Sequence, residues 1–176
     1  MSKDYKKIAR AVISTEIDGL KKLRKSINIS FNKAVELILK TEGKLVFCGI
    51  GKSGLIARKA AATLSSVGQP SFYIDGNEFS HGDSGSVTKK DVMIIYSSSG
   101  ETSELRRVIS YCGRMGIKLI SVCQKKNSTL CNASDVNILI PFSKEAGLPF
   151  LPTTSTTSFL AISDALGVAL MNKKKF

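Results

Sequence analysis

Val92-Met93-Ile94-Ile95 runs directly into Tyr96-Ser97-Ser98-Ser99-Gly100-Glu101-Thr102-Ser103-Glu104, and a helical pattern follows from near Leu105. The four leading residues are all apolar, as in a strand covered on both faces. The polar run that follows breaks the strand and feeds a helix. A strand that ends in hydroxyls and a glycine before a helix forms an anion cradle. Unpartnered first-turn N–H groups and the helix dipole supply positive potential, and Gly100 allows close backbone approach. Glu101 and Glu104 place carboxylates just beyond it. An anion site beside an acid–base group suits chemistry on a phosphorylated small molecule. The bland alternative is a capped helix with ordinary first-turn acids.

Outward from this unit, strand and helix alternate. Strand candidates are Lys44–Cys48, Ser71–Ile74, Val92–Ile95, Lys118–Cys123 and Val136–Ile140. A small-residue helix after Gly54 stops at Gly68, Leu105–Met115 stops at Gly116, Ser128–Ala133 is short, and Thr153–Thr157 opens a final helix. Near-continuous apolar strands alternating with helices predict a parallel, doubly wound α/β sheet in one domain spanning residues 1–176. Two helices precede the first strand. One, over 4–27, carries Ile8, Val12, Ile13, Ile17, Leu20, Leu23 and Ile27 on one face; the other is capped by Asn28 or Ser30 and ended by Gly43. They form an added layer that covers the sheet or another subunit.

The 176 residues are 43% apolar, enough for one buried core. No window reads as a transmembrane span, and the lysine-rich N-terminus is unlike a signal peptide, so a cytoplasmic protein without membrane contact is expected. The net charge of +12 is dispersed, with no arginine–aromatic interleaving and no Trp. That pattern fits a solvated surface that steers anionic substrate better than it fits nucleic acid. Cys48, Cys112, Cys123 and Cys131 lack C-x-x-C spacing and read as reduced thiols. His81 is the one histidine, which excludes multi-histidine metal sites; no metal is expected.

Gly49-Ile50-Gly51-Lys52-Ser53-Gly54 spells G-x-G-x-x-G between strand and helix, with Asp75 about 20 residues on. A nicotinamide-binding protein is therefore a rival reading. The length is short for such an enzyme, and the second cradle stays unexplained by it. A Walker phosphate loop fails, because its first glycine falls on Val46. Lys52 is placed to neutralise phosphate or oxyanion charge. His81, flanked by Gly82 and near Glu78 and Asp83, is either a surface residue or a group tuned for proton transfer. Pro152-Thr153-Thr154-Ser155-Thr156-Thr157-Ser158 carries six hydroxyls where capping needs one or two. It reads as a second polar pocket wall or as a plain loop end.

These stretches, with Glu78-Phe79-Ser80-His81-Gly82-Asp83 and Lys144-Glu145-Ala146, resemble the sugar isomerase (SIS) domain, whose members bind phosphosugars. Within that group the chain is most similar to the arabinose-5-phosphate isomerases of lipopolysaccharide and capsule biosynthesis. The likeness runs from about Ile8 to Phe176. It implies a five-stranded parallel sheet between helices, a homotetramer with sites at subunit interfaces, and a phosphorylated sugar as the partner. It also implies interconversion of D-ribulose 5-phosphate and D-arabinose 5-phosphate without a cofactor. The family's functional lysine falls on Lys52, its loop histidine on His81 and its glutamate on Glu104. Substrate contacts are implied for Gly51, Ser53, Ser97, Ser99, Thr102, Thr154, Ser155, Thr156 and Thr157. Family members usually continue into a segment with a second functional histidine and paired cystathionine-β-synthase-type modules, whereas this sequence ends at Phe176. A non-catalytic phosphosugar sensor is the alternative.

Overall fold

The computed structural model describes residues 4–174. Two helices, α1 (Tyr5–Ser26) and α2 (Ile29–Leu39), precede the alternating unit of β1 (Leu45–Gly49), α3 (Gly51–Ser66), β2 (Ser71–Asp75), β3 (Val92–Tyr96), α4 (Leu105–Met115), β4 (Lys118–Cys123), α5 (Thr129–Ala133), β5 (Val136–Leu139) and α6 (Thr154–Lys174). All four strand pairings are parallel, in the order β2-β1-β3-β4-β5. The doubly wound sheet read from the strand pattern is the observed one.

The apolar strands explain both layers. Leu45, Phe47, Val92, Ile94, Tyr96, Ile120 and Val122 face α1, α2, α3 and α6. Their neighbours Val46, Cys48, Met93, Ile95, Leu119 and Cys123 face α4, α5 and the 76–87 segment. Alternate side chains of one strand thus enter opposite cores, which is why these strands show no polar face. The polar loop expected between Asp75 and Ser86 winds into two 3₁₀ turns, Glu78–His81 and Asp83–Ser86. Phe79 anchors the first of them in the core.

Caps follow the sequence. Asp4 Oδ1 accepts the Lys7 N–H, and Asn28, not Ser30, caps α2. Gly43 does not stop α2, which ends at Leu39 with Lys40 as its cap. Instead the Gly43 N–H donates to the Lys90 carbonyl at 3.0 Å and leads into β1. The reading that no window approaches the length of a transmembrane span needs correction as well: Thr154–Lys173 is long and apolar enough by composition to cross a membrane, with half of the stretch buried in the fold. Its apolar residues Phe159, Ile162, Leu166 and Leu170 are core residues of a helix packed on α3 and α1. Apolar periodicity alone does not separate those cases.

Asp91 ties the lower ends of β1 and β3. It is buried, and its carboxylate accepts the Lys44 N–H at 2.8 Å, the Thr88 N–H at 2.7 Å and the Thr88 hydroxyl at 3.0 Å. Burial alone would raise its pKa, but these hydrogen bonds, helped by the Lys44 ammonium at 3.5 Å, hold the carboxyl below its ordinary 3.8. A depressed carboxyl stabilises the fold fully above its unfolded value and loses that contribution as pH falls through the native one. Asp91→Ala is expected to cost about 2 kcal/mol in urea denaturation at neutral pH, because the partly buried Lys44 and Thr88 N–H groups lose a charged acceptor. The gap between variant and parent should narrow below pH 3.8, where the parent's carboxylate begins to protonate. An unchanged midpoint at neutral pH would remove this residue from the account.

Candidate active site

The strand order reverses direction between β1 and β3, and in such sheets the crevice beyond the carboxyl ends of those strands is where ligands bind. A hollow of about 540 Å³ opens there. Ile50 and Ser53 reach it from the turn after β1, Ser97, Ser98, Ser99 and Thr102 from the loop after β3, and Gln124 and Lys125 from the end of β4. Tyr96 closes the floor and Phe142 one side. Tyr96 is fixed by the core, its ring edge-on to Phe159 at 5.6 Å and its hydroxyl sharing a 2.7 Å hydrogen bond with Ser163. The cradle therefore begins on a rigid strand tip.

The loop ties itself together. Ser97 Oγ accepts the Gly100 N–H at 3.1 Å and shares a hydrogen bond with the Thr102 hydroxyl at 2.9 Å. Ser99 Oγ accepts the Glu101 N–H at 3.1 Å, and the Ser98 hydroxyl donates to Gln124 Oε1 at 2.8 Å. Glu101 accepts the Thr129 hydroxyl at 2.7 Å and the Thr129 N–H at 3.0 Å, which hold its carboxyl below the ordinary range, with Lys125 Nζ 4.0 Å away. Glu101 thus serves as a strut between the cradle and α5. Gly100 sits at φ +65°, where a Cβ would lie 2.1 Å from Ser128 Oγ.

One expectation is corrected by the geometry. α4 begins at Leu105, and the amides of Leu105 and Arg106 donate back to Thr102 and Ser103 at 3.2 and 3.1 Å. The α4 terminus is consumed by its own turn. The helix start that opens on the hollow is that of α3, whose cap residue Ile50 supplies no side-chain hydrogen bond. Its unpartnered N–H groups and dipole provide the positive pole expected of α4. The tight turn that brings them there depends on Gly54, whose Cβ would lie 2.6 Å from the Tyr73 hydroxyl and 2.8 Å from the Gly49 carbonyl oxygen.

The structure gathers Ser53, Ser97, Ser99 and Thr102 around one cavity. It does not gather the remaining candidates there within a single chain. Gly51 and Lys52 line a separate hollow of about 330 Å³ with Arg58, Tyr73 and Asp75. His81 is exposed at the end of its 3₁₀ turn. Glu104 is exposed at the start of α4 rather than on a pocket floor, and it accepts the Ser103 hydroxyl at 2.7 Å. That bond, with a backbone one, lowers its pKa, so the carboxylate is the form present at neutral pH.

The second hydroxyl wall is also reassigned. Glu145 accepts the Thr153 N–H at 2.8 Å, the Thr153 hydroxyl at 3.0 Å and the Ser155 N–H at 3.3 Å, and so caps α6. Thr156 bonds back to the Thr153 carbonyl at 2.9 Å, and Thr154 is fully buried against Gly19 of α1. Thr154, Ser155, Thr156 and Thr157 do not line the cradle's hollow. Their hydroxyls sit in a helix terminus that has to be fixed by side chains.

Gln124, Lys125 and Phe142 were not anticipated. The signal was their place directly after β4 and β5, at the same sheet end as the cradle. Asp75, which a nicotinamide reading assigns to a ribose, has both oxygens engaged at home by the Tyr73 hydroxyl at 3.0 Å and the Asn77 N–H at 2.9 Å. Among the described residues no three of His, Cys, Asp or Glu come together as a metal site needs. Cys48 and Cys112 are free and buried, and burial pushes both thiols up to about 12. Cys123 and Cys131 lie sulfur to sulfur, which their spacing did not announce, with Cα atoms 7.5 Å apart, wider than a disulfide ordinarily spans.

Comparison with known proteins decides the family. The SIS domain model matches residues 38–169. The chain belongs to the SIS domain family. It is 42% identical over 173 residues to the Rickettsia prowazekii protein RP505, and 40% identical over 174 residues to the arabinose 5-phosphate isomerase KdsD of Escherichia coli K12. In each case 98% of this chain is covered, but the chain spans only about half of those relatives, 54% and 53% respectively. Among solved structures, c3406 of E. coli CFT073 in complex with arabinose 5-phosphate superposes with a TM-score of 0.96 at 37% identity, covering 100% of this chain and 94% of that one. A sugar-phosphate isomerase homologue from Listeria monocytogenes gives 0.96 at 28% identity over the same shares. The five-stranded sheet between helices is the SIS fold, and the cradle after β3 is this SIS domain's hydroxyl-rich loop.

Proposed function

We propose that this SIS domain interconverts D-arabinose 5-phosphate and D-ribulose 5-phosphate through an enediolate. One observation carries the reading: a single hollow at the ends of β1, β3 and β4 combines the hydroxyls of Ser97, Ser99 and Thr102, the open start of α3 and the Lys125 ammonium. That set matches a phosphoryl dianion and little else of comparable size. The likeness to KdsD and to the c3406 complex supports the pentose phosphate as ligand.

Anchoring the phosphoryl end fixes the register of the sugar, so that C1 and C2 lie beyond the cradle's rim. Glu104, ionised at neutral pH, takes the proton from C2 of the aldose and returns it to C1. Lys52 offsets the oxyanion that develops, and His81 opens the ring or moves protons between oxygens. These three are exposed in the single chain. A dry site therefore calls for a neighbouring chain. The surface offers one a seat: Ile8, Ile13 and Ile17 of α1 are 55%, 57% and 45% exposed, and Phe142 and Phe150 are each 79% exposed. We take the assembly to be a cytoplasmic homotetramer with shared sites.

The test is incubation of arabinose 5-phosphate with the protein in D₂O, followed by NMR. Isomerisation gives ribulose 5-phosphate and places deuterium at C2 of the recovered aldose. The scattered positions of Lys52, His81 and Glu104 favour a second reading, a phosphosugar-binding sensor. Saturable binding with neither product nor exchange would establish the sensor and dismiss the isomerase.

A further inference from the structure

Away from the cradle, one face of α4 and the 3₁₀ turns opposite it enclose a second hollow of about 420 Å³. Arg106, Arg107 and Arg114 line it. Arg106 and Arg114 are eight residues apart, roughly 12 Å along the axis, so the trough is cationic at both ends. Ser80, Ser84 and Ser110 also line it. Among the described residues none of the three arginines enters an ion pair within 4.0 Å.

The far end is preformed. The Arg114 guanidinium lies 5.7 Å from the centroid of the Tyr111 ring. Tyr111 is in turn pinned, its hydroxyl donating to the Ser84 carbonyl at 3.0 Å and its ring edge-on to Phe79 at 5.2 Å. Phe79 is buried, so the wall rests on the core. A stacked guanidinium has already lost much of the freedom that a surface arginine keeps, and its fork of donors stays available.

We infer that this trough is a second binding site, for an elongated small metabolite carrying phosphoryl groups at both ends. One phosphoryl group pairs with Arg106 and Arg107 and the other with Arg114, while the serine hydroxyls bond the polar middle. The charge separation is the selective element. A monophosphate of the same sugar fills one end and leaves the other guanidinium without a partner. The site differs from the cradle in place and in donors, being arginine-based on the side of α4 instead of hydroxyl- and amide-based at the strand tips.

The experiment is calorimetric titration of the full chain at low ionic strength with fructose 1,6-bisphosphate and, separately, fructose 6-phosphate. The bisphosphate is expected to bind at one equivalent per chain, at least about tenfold more tightly than the monophosphate. Arg114→Gln should remove that advantage, and Arg107→Gln should weaken both sugars at this site. Ser97→Ala, a cradle variant, should leave the bisphosphate affinity within about twofold. All three arginines are exposed, and an unchanged melting temperature of the glutamine variants checks that the fold survives. Equal affinities for the two sugars, indifference to Arg114→Gln, or loss of bisphosphate binding in Ser97→Ala would each overturn the assignment.

Discussion

Gly100→Ala is expected to abolish measurable binding of arabinose 5-phosphate while the chain stays folded. The added Cβ would sit 2.1 Å from Ser128 Oγ and 2.6 Å from Ser128 Cβ, at a backbone φ of +65°. Ser128 cannot simply rotate away, for it is fully buried and its hydroxyl accepts the Cys131 N–H at 3.3 Å as the cap of α5. Relief must come from moving the 97–102 loop or from uncapping α5. Uncapping costs about 1 kcal/mol, and the left-handed backbone adds about 1–2 kcal/mol for a residue with a Cβ. Moving the loop breaks the Gly100 N–H to Ser97 Oγ bond that sets the cradle hydroxyls. Titration followed by ³¹P NMR should show affinity reduced by at least about a hundredfold, with far-ultraviolet circular dichroism unchanged. Affinity within about threefold of the parent would mean that the cradle is not the phosphate site.

Glu104→Gln is expected to leave binding within a few-fold and to lower kcat by about 10² to 10⁴, the usual worth of a positioned general base. The pH profile discriminates further. Ser103 holds the Glu104 carboxyl below its ordinary 4.5, so the base is ionised at neutral pH. The acid limb of activity limited by this group should lie below that of an ordinary carboxylate. Ser103→Ala removes the largest cause of the depression and should move that acid limb upward. A parent-like kcat in Glu104→Gln would transfer the proton step to His81 or to a group from a neighbouring chain.

How much of this was legible beforehand differs by element. The sheet was readable because both faces of it are covered: Val92–Tyr96 is buried throughout, and such a strand has no polar alternation to mislead. The Gly116 stop was readable because αL at a helix end selects glycine, and it is observed at φ 65°, ψ 28°. The cradle's residues were readable, but its source of positive potential was not. Nothing local distinguishes the open start of α3 from the closed start of α4; the difference lies in whether nearby carbonyls take up the first amides. The surroundings of the threonine cluster were hidden for a related reason. Excess hydroxyls suggested a pocket wall, whereas Glu145, eight residues before Thr153, takes the Thr153 hydroxyl and the Thr153 and Ser155 N–H groups into a cap. Gln124 and Lys125 escaped notice because no motif marks them. Only the parallel order β1-β3-β4 brings the residue after β4 beside the loop after β3. The scattered positions of Lys52, His81 and Glu104 could not be inferred from spacing at all, since Lys52 lies in α3, His81 in the first 3₁₀ turn and Glu104 just ahead of α4.

The central claim is that the turn between β3 and α4 holds the phosphoryl group of a pentose phosphate. Its most direct test is the crystal structure of the protein soaked with arabinose 5-phosphate. The phosphorus is expected within hydrogen-bonding reach of Ser97, Ser99 and Thr102, with Lys125 beside it and the C1–C2 end of the sugar directed towards Glu104. Phosphorus density at the α4 arginines or beside Arg58, with the Ser97–Thr102 turn left vacant at saturating ligand, would contradict it.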